Sequence, residues 1–317
     1  VDDGGVIELA LALVHEGDEN LLGQAGLKSY PILLSTRSNG THPGYPLVTK
    51  FNYIIAGITI DSSKYFLDGT NLNLGPNMLG FDCLNHQGLA LNMTDKTAEW
   101  IPLELKNTSQ NMLTYNLKLS KDNVFSGKVY ERKSELEGLS LRQQYKASPN
   151  QEEYLKTYKQ NRNGLKINDF SIKNIDNVSS PVTLEYTATI EDMVEEAGNL
   201  VYFTPLLYER TKENPFKLEE RNFPVDFGYK TEEVYRIIIE LPENMVVEKL
   251  PTNQIFKLPD NSAFFSYLTV ADGNTISIVS KINFGKSLYE PDSYFELKEL
   301  FKKIVSKQAE QIVLKKI

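Results

Sequence analysis

Eight short segments of alternating apolar and polar residues, spread over the last two thirds of the chain, constrain its fold more than any other feature. They run Leu113–Leu119, Val124–Tyr130, Ile167–Ile175, Val182–Ile190, Val234–Leu241, Ile255–Leu258, Phe264–Val270 and Thr275–Phe284, with turn signals between them. Successive side chains of a strand point to opposite faces, so this period of two predicts strands with one face in a core. Two charged segments with helical patterns, Ser134–Lys146 and Gln151–Gln160, interrupt the series and are expected to lie over one face. Near the end, Asp292–Leu314 places Phe295, Leu297, Leu300, Phe301, Ile304 and Val305 at helical spacing, which predicts a packing stripe opposite a Lys-rich, solvated face. Residues 101–317 therefore read as a mostly β, sandwich-like domain with a C-terminal helix.

Residues 1–100 have a different character. Val6–Val14 is apolar on every side, which suits a buried helix. Tyr30–Ser35 reads as a strand, and Thr36–Pro46, with two prolines, two glycines and an Asn-Gly, as a loop. Phe51–Ile60 and Lys64–Asp68 read as two strands joined by the polar turn Asp61-Ser62-Ser63. Asn71–Asn85 is irregular, and Gln87–Trp100 reads as strand, turn and strand. The chain as a whole is expected to be α+β.

Composition narrows the function. A net charge of -8 with no basic patch argues against nucleic acid, which needs cations to displace counterions from phosphates. No window of 18 apolar residues exists, so no transmembrane helix is expected. The longest apolar run, Val6–Val14, contains Glu8 and follows two aspartates, so no signal peptide is read here. The single cysteine, Cys83, precludes an internal disulfide framework. The three histidines, His15, His42 and His86, fall in no HExxH or Cys/His pattern with zinc spacing, so no metal is expected. No glycine-rich phosphate loop or dinucleotide fingerprint is present, and no cofactor is implied.

The segment Phe51–Thr70, FNYIIAGITIDSSKYFLDGT, resembles one that transglutaminase-like (papain-fold) domains carry. Further blocks extend the likeness over the chain: GLKSYPILLSTRSNG (Gly26–Gly40), MLGFDCLNHQGLAL (Met78–Leu91), GNLVYFTPLL (Gly198–Leu207), NPFKLEERNFPVDFGY (Asn214–Tyr229) and the terminal KQAEQIVLKK. Together they resemble a family of secreted or periplasmic bacterial proteins in which β-rich domains of unknown function flank a central transglutaminase-like domain. The resemblance implies a papain-type helix-plus-antiparallel-sheet domain at 1–100, a β-rich domain at 101–317, a further domain upstream, and an extracytoplasmic location. In that family an Asn-His pair opens one strand and Leu-Asp-x-Thr closes the next. The His serves a cysteine nucleophile as base, and the Asp orients it. Here Asp68 fills the Asp slot, but the His slot holds Tyr53. The nucleophile slot, at the start of the buried helix, falls near Val6, and residues 1–28 contain no Cys, Ser or Thr.

A phenol whose ordinary pKa is about 10 is a poor base at neutral pH. Tyr53 is therefore expected to fill the volume of the imidazole and to hydrogen-bond Asp68. The first reading is a pseudoenzyme, a binding or assembly module of the cell envelope whose old cleft is a recognition groove lined by Arg37, Asn52, Tyr53 and Asp68, for a protein or polysaccharide ligand. Two alternatives stand beside it: a cysteine peptidase, amidase or transglutaminase-type acyl transferase whose nucleophile lies outside this chain, and a carbohydrate-binding module. Cys83 and His86 form a C-L-N-H pair, but the cysteine reads better as a small buried hydrophobe. Asp192, Glu195 and Glu196, with Glu219 and Glu220, could suggest a paired-carboxylate site, yet acids in an acidic chain are usually solvated. Tyr202, Phe203, Tyr208 and Phe216 could line a sugar surface, but read better as core.

Overall fold

The computed structural model describes residues 28–41, 47–60, 63–92 and 94–317. The chain divides into two compact units, Val1–Asn107 and Thr108–Ile317. The first holds five strands: β1 (Lys28–Leu34), β2 (Tyr53–Ile60), β3 (Ser63–Leu67), β4 (Gln87–Asn92) and β5 (Thr97–Pro102). They form one antiparallel sheet in the order β3-β2-β1-β4-β5. Central β1 buries Ile32, Leu33 and Leu34 in succession, as a strand covered on both faces must. One face carries the cluster of Leu33, Leu89 and Leu91 under Phe51, Ile54 and Trp100. Small residues crowd the other: a side chain at Gly57 would strike the Tyr30 ring, and one at Gly88 would meet Ile32.

The expected papain-type helix-plus-sheet core is not what the structure shows. The molecule is mostly β, with several sheets, and among the described residues its α-helices all belong to the second unit. The expected helix Val6–Val14 lies outside the described residues.

The second unit comprises β6 (Ser109–Leu119), β7 (Phe125–Lys133), α1 (Glu135–Ala147), α2 (Gln151–Lys159), β8 (Leu165–Lys173), β9 (Val182–Ile190), β10 (Glu195–Ala197), β11 (Leu200–Phe203), β12 (Val225–Asp226), β13 (Thr231–Glu240), β14 (Met245–Lys249), β15 (Gln254–Lys257), β16 (Ala263–Asp272), β17 (Thr275–Phe284), β18 (Leu288–Tyr289), α3 (Tyr294–Gln308) and β19 (Ile312–Lys316). The eight alternating runs of the sequence are the eight strands of a single sheet, β15-β16-β17-β13-β6-β7-β9-β8. Its pairings are antiparallel except at the seam, where β13 runs parallel to β6. The parallel seam needs a long connection, which the chain between β6 and β13 supplies.

Strict alternation buries one face, as in Val182, Leu184, Tyr186, Ala188 and Ile190 of β9. That face shares its core with Val201 and Phe203 of β11, Ile312 and Leu314 of β19, and Leu297, Leu300 and Ile304 of α3. The strands β10-β11-β19-β14 form a second, four-stranded sheet. Helices α1 and α2 cover the β9 end through Leu141 and Tyr154, which pack on Val182 and Leu184. The Asn150 side chain caps α2 by accepting from the Glu153 amide, with acids in its first turn and lysines in its last.

The C-terminal helix is shorter than expected. It ends at Gln308, and residues that would extend it form β19, an inner strand of the four-stranded sheet. Ile312 and Leu314, two apart, are fully buried, whereas Phe295 of the expected stripe is exposed. Lys307, one turn beyond Ile304, is buried and donates to the Thr252 carbonyl and hydroxyl while pairing with Glu310 at 2.7 Å.

Candidate functional site

Register brings the candidate residues of the first unit to one end of its sheet. Leu34 pairs with Tyr53, and Ala56 pairs with Leu67, so the β2–β3 hairpin sets the start of one strand beside the end of the other. Tyr53 and Asp68 thereby meet. The phenol oxygen lies 3.1 and 3.0 Å from the two Asp68 carboxylate oxygens and 2.5 Å from the Thr70 hydroxyl. Thr70 also donates its hydroxyl (2.7 Å) and its backbone N–H (3.1 Å) to Asp68. Three donors, two hydroxyls and an amide, thus converge on one carboxylate. Burial raises the pKa of the Tyr53 phenol, the negative charge of Asp68 adds to the rise, and the Thr70 hydroxyl only partly opposes it. The phenol therefore keeps its proton at neutral pH.

Arg37 and Asn52 belong to a second network beside this one. Asn52 clamps Thr36 from both sides, accepting from its amide (2.9 Å) and donating to its hydroxyl (2.8 Å). Arg37 donates to the Leu84 carbonyl at 2.7 Å and stacks its guanidinium 4.6 Å over the half-exposed Phe81 ring. Ser38 donates both amide and hydroxyl to Asp82, and that hydroxyl bond is the main reason the Asp82 carboxyl is held below its usual range. Buried Asn85 donates to the carbonyls of Ser35 and Gly40. The loops 35–40 and 81–85 are thereby bound to each other. Thr36, Ser38, Asp82 and Asn85 are the members that sequence reasoning missed; only Thr70, inside the Leu-Asp-x-Thr pattern, carried a readable signal.

Cys83 is buried, and burial, with the charges of Asp68 and Asp82 adding to it, pushes its thiol up to about 12. His86 is exposed, in a left-handed backbone conformation with φ of 68°. A reactive cysteine needs the opposite setting, an exposed sulfur whose pKa a nearby cation lowers. Val6, the nucleophile slot, lies outside the described residues. Among the described residues no cluster of His, Cys, Asp or Glu has the geometry to hold a metal ion.

The remaining candidates disperse. Glu195 and Glu196 are adjacent strand residues and point to opposite faces, and Glu196 is taken by Lys316 at 2.5 Å and by Asn123. Glu219 and Glu220 are exposed. Phe203 and Phe216 are core residues, and Tyr208 donates to the Asn163 carbonyl.

A denser polar cluster, unreadable in the sequence, lies inside the second unit. Glu209 accepts from the Tyr115 hydroxyl (3.1 Å) and from Arg162 (3.3 Å), whose guanidinium stacks 4.2 Å from the Tyr158 ring. Tyr158 reaches Tyr186 and Glu131, and Glu131 pairs with Lys133 at 3.2 Å. Burial raises the Glu209 carboxyl above the usual range, more than Arg162 can offset.

Comparison with known proteins matches residues 199–314 to DUF3858, a domain of unknown function with a solved structure. No curated protein matches the chain. Among solved structures it is similar to a candidate protease from Parabacteroides distasonis ATCC 8503, at 12% identity and a TM-score of 0.46, over 94% of this chain and 42% of that one. The chain thus spans less than half the length of that protein. No helix among the described residues is long and apolar enough to cross a membrane.

Proposed function

We propose that this chain is a non-catalytic binding or assembly module of the bacterial cell envelope, related in its motifs to transglutaminase-like proteins but keeping their orienting acid without their base. One observation carries the reading: the Asp68 carboxylate is occupied by Tyr53 and Thr70. In a working triad that acid holds an imidazole in the tautomer that takes a proton from the nucleophile. A phenol with a raised pKa cannot take that proton at neutral pH. The sole cysteine, with its thiol near 12, is almost wholly protonated there. Losing either nucleophile or base from a triad that acts as a unit removes rate on the order of a millionfold in the best-studied case.

The surface left for recognition is the Arg37–Phe81 stack with Asn52 and the Tyr53–Asp68 pair, offering a cation, an exposed aromatic ring and amide groups to a protein or polysaccharide. The block resemblances along the chain support the envelope location. The test is amine incorporation and peptide-amide hydrolysis by the purified protein, with and without a thiol alkylator. Neither reaction is expected above background. Turnover that the alkylator abolishes would refute the reading and assign the chain a cysteine nucleophile.

A further inference from the structure

The outward face of the eight-stranded sheet carries a groove of about 380 Å³ in the second unit. Two adjacent cross-strand rows build it. Arg132 on β7 pairs with Thr183 on β9, which pairs with Lys173 on β8. In the next row Thr114 on β6 pairs with Tyr130 on β7, which pairs with Glu185 on β9, which pairs with Ser171 on β8; Met112 on β6, opposite Arg132, likewise makes the first row four strands wide. Four strands at about 4.8 Å spacing make each row about 14 Å long, enough for a short stretch of polymer rather than a single small molecule. Beyond Asn168 the β8–β9 register shifts, and Asp169 adopts a left-handed φ of 52°, so the edge strand bends where the groove ends.

We propose that this groove binds an acidic polysaccharide, a chain of sugars bearing carboxylates. The proposal concerns the second unit, goes beyond the reading of Tyr53 and Asp68, and does not depend on the lack of catalysis there. Charge is the first argument. Arg132 is held in place by a relay across the sheet: its guanidinium donates to Gln110 (3.1 Å), Gln110 donates to Glu232 (3.2 Å), and Glu232 pairs with Lys281 (2.7 Å). Only one guanidinium nitrogen is used in these contacts, so two more can reach a carboxylate in the fork geometry that arginine favours. Lys173 is exposed and has no acceptor among the described residues.

The acids nearby are already engaged. Glu185 faces Lys128 at 3.8 Å, Asp169 accepts from Thr187, and Glu131 is buried with Lys133 and Tyr158. Among the described residues neither Arg132 nor Lys173 makes an ion pair, on a chain whose net charge is -8. Apolar and hydroxyl groups supply the second argument. The Tyr130 ring, 36% exposed and in the row beside Arg132, offers an aromatic surface suited to the C–H face of a pyranose. Thr114, Thr183 and Ser171 place hydroxyls around it, where sugar hydroxyls can exchange hydrogen bonds. An acidic peptide would satisfy the cations but make no particular use of the ring and hydroxyls, so the sugar is favoured.

The test is titration calorimetry of the whole protein at low salt with polygalacturonate, its methyl ester, neutral dextran and poly-glutamate. Polygalacturonate is expected to bind and the uncharged methyl ester and dextran to bind at least tenfold more weakly. Tyr130→Ala and Arg132→Gln should each weaken polygalacturonate at least tenfold, while Tyr130→Phe should bind within threefold of the parent. Both positions face outward, so thermal melts should coincide with the parent's. No binding of polygalacturonate, or binding unchanged in both Tyr130→Ala and Arg132→Gln, would overturn the proposal. So would poly-glutamate binding as tight as polygalacturonate, which would assign the groove to acidic peptides.

Discussion

Helix α3 offers a sharp test of the packing, because two phenylalanines six residues apart meet opposite fates. Phe301 is half-buried, with its ring at 81° to Phe216 at 5.2 Å and stacked on Phe284 at 5.5 Å. Phe295 is 66% exposed. Truncating a fully buried Phe costs about 3–5 kcal/mol. Partial burial scales that down to roughly 2 kcal/mol, and two lost aromatic pairs at about 0.5–1.5 kcal/mol each bring Phe301→Ala back to about 3 kcal/mol. Phe295→Ala loses almost no burial and gains about 0.5 kcal/mol of helix propensity, so it should be neutral or slightly stabilising. Ile304→Ala, at a position with no exposure, should fall within about 2–5 kcal/mol. Urea unfolding followed by circular dichroism checks all three, with the midpoint moving and the slope constant. If Phe295→Ala cost as much as Phe301→Ala, the assignment of the buried face would be wrong. If Phe301→Ala cost under about 1 kcal/mol, the helix would not be packed on the sheet at all.

Glu209 should give the second unit a pH signature. Its folded carboxyl lies above the ordinary value, so its contribution to stability is fully present below the unfolded pKa of about 4.3 and is lost as pH rises through the folded value. Glu209→Gln, an uncharged mimic, should flatten that decline and be more stable than the parent at pH 7.5 but not at pH 4; a variant less stable at pH 7.5 would show that the Arg162 pair outweighs burial. With the Cys83 thiol moved from 9.0 to about 12, its thiolate population at a given pH drops about a thousandfold. Alkylation of native protein at pH 8 should be slower than in urea by at least that factor, and comparable rates would mean that the sulfur is accessible. Asn85→Ala strips donors from two carbonyls that its buried amide serves, and should lower the melting stability of the first unit by about 1–3 kcal/mol. A loss below about 0.5 kcal/mol would mean that water replaces the amide.

What the sequence reveals of this fold is what depends on local pattern. Alternation such as that in Val182–Ile190 and Thr275–Phe284 predicts a one-sided strand, and the structure sets these runs side by side in one sheet. Neighbourhood is another matter. The parallel seam of β6 and β13 joins strands separated by both helices and several other strands, and no local pattern specifies it. Strand β19 was hidden by coincidence. Apolar residues at Leu297, Leu300 and Ile304 continue to Ile312 at spacings a longer helix would also produce, and only the pairing of Ile312–Lys316 with β11 and β14 decides otherwise. The papain-type expectation failed for a related reason: likeness of short blocks specifies strands and turns, not the layers packed around them.

The candidate site divides along the same line. Tyr53 and Asp68 were legible as neighbours because a hairpin with a short turn fixes its own register, and Thr70 lies two residues beyond the acid. The cluster of Glu131, Arg162 and Glu209 was not legible, since its members come from β7, the segment after α2 and the segment after β11. Each looks like an ordinary surface charge until the fold removes it from water. Lys307 is a further case, its ammonium enclosed by Thr252 and Glu310, groups from outside its helix that no local pattern announces. The β2–β3 hairpin seats the Tyr53 phenol at hydrogen-bond distance from Asp68. What separates Tyr53 from an imidazole is side-chain chemistry: a phenol whose pKa is raised by burial and by the Asp68 charge keeps its proton at neutral pH and is a far weaker base than a neutral imidazole, while burial likewise keeps the Cys83 thiol protonated.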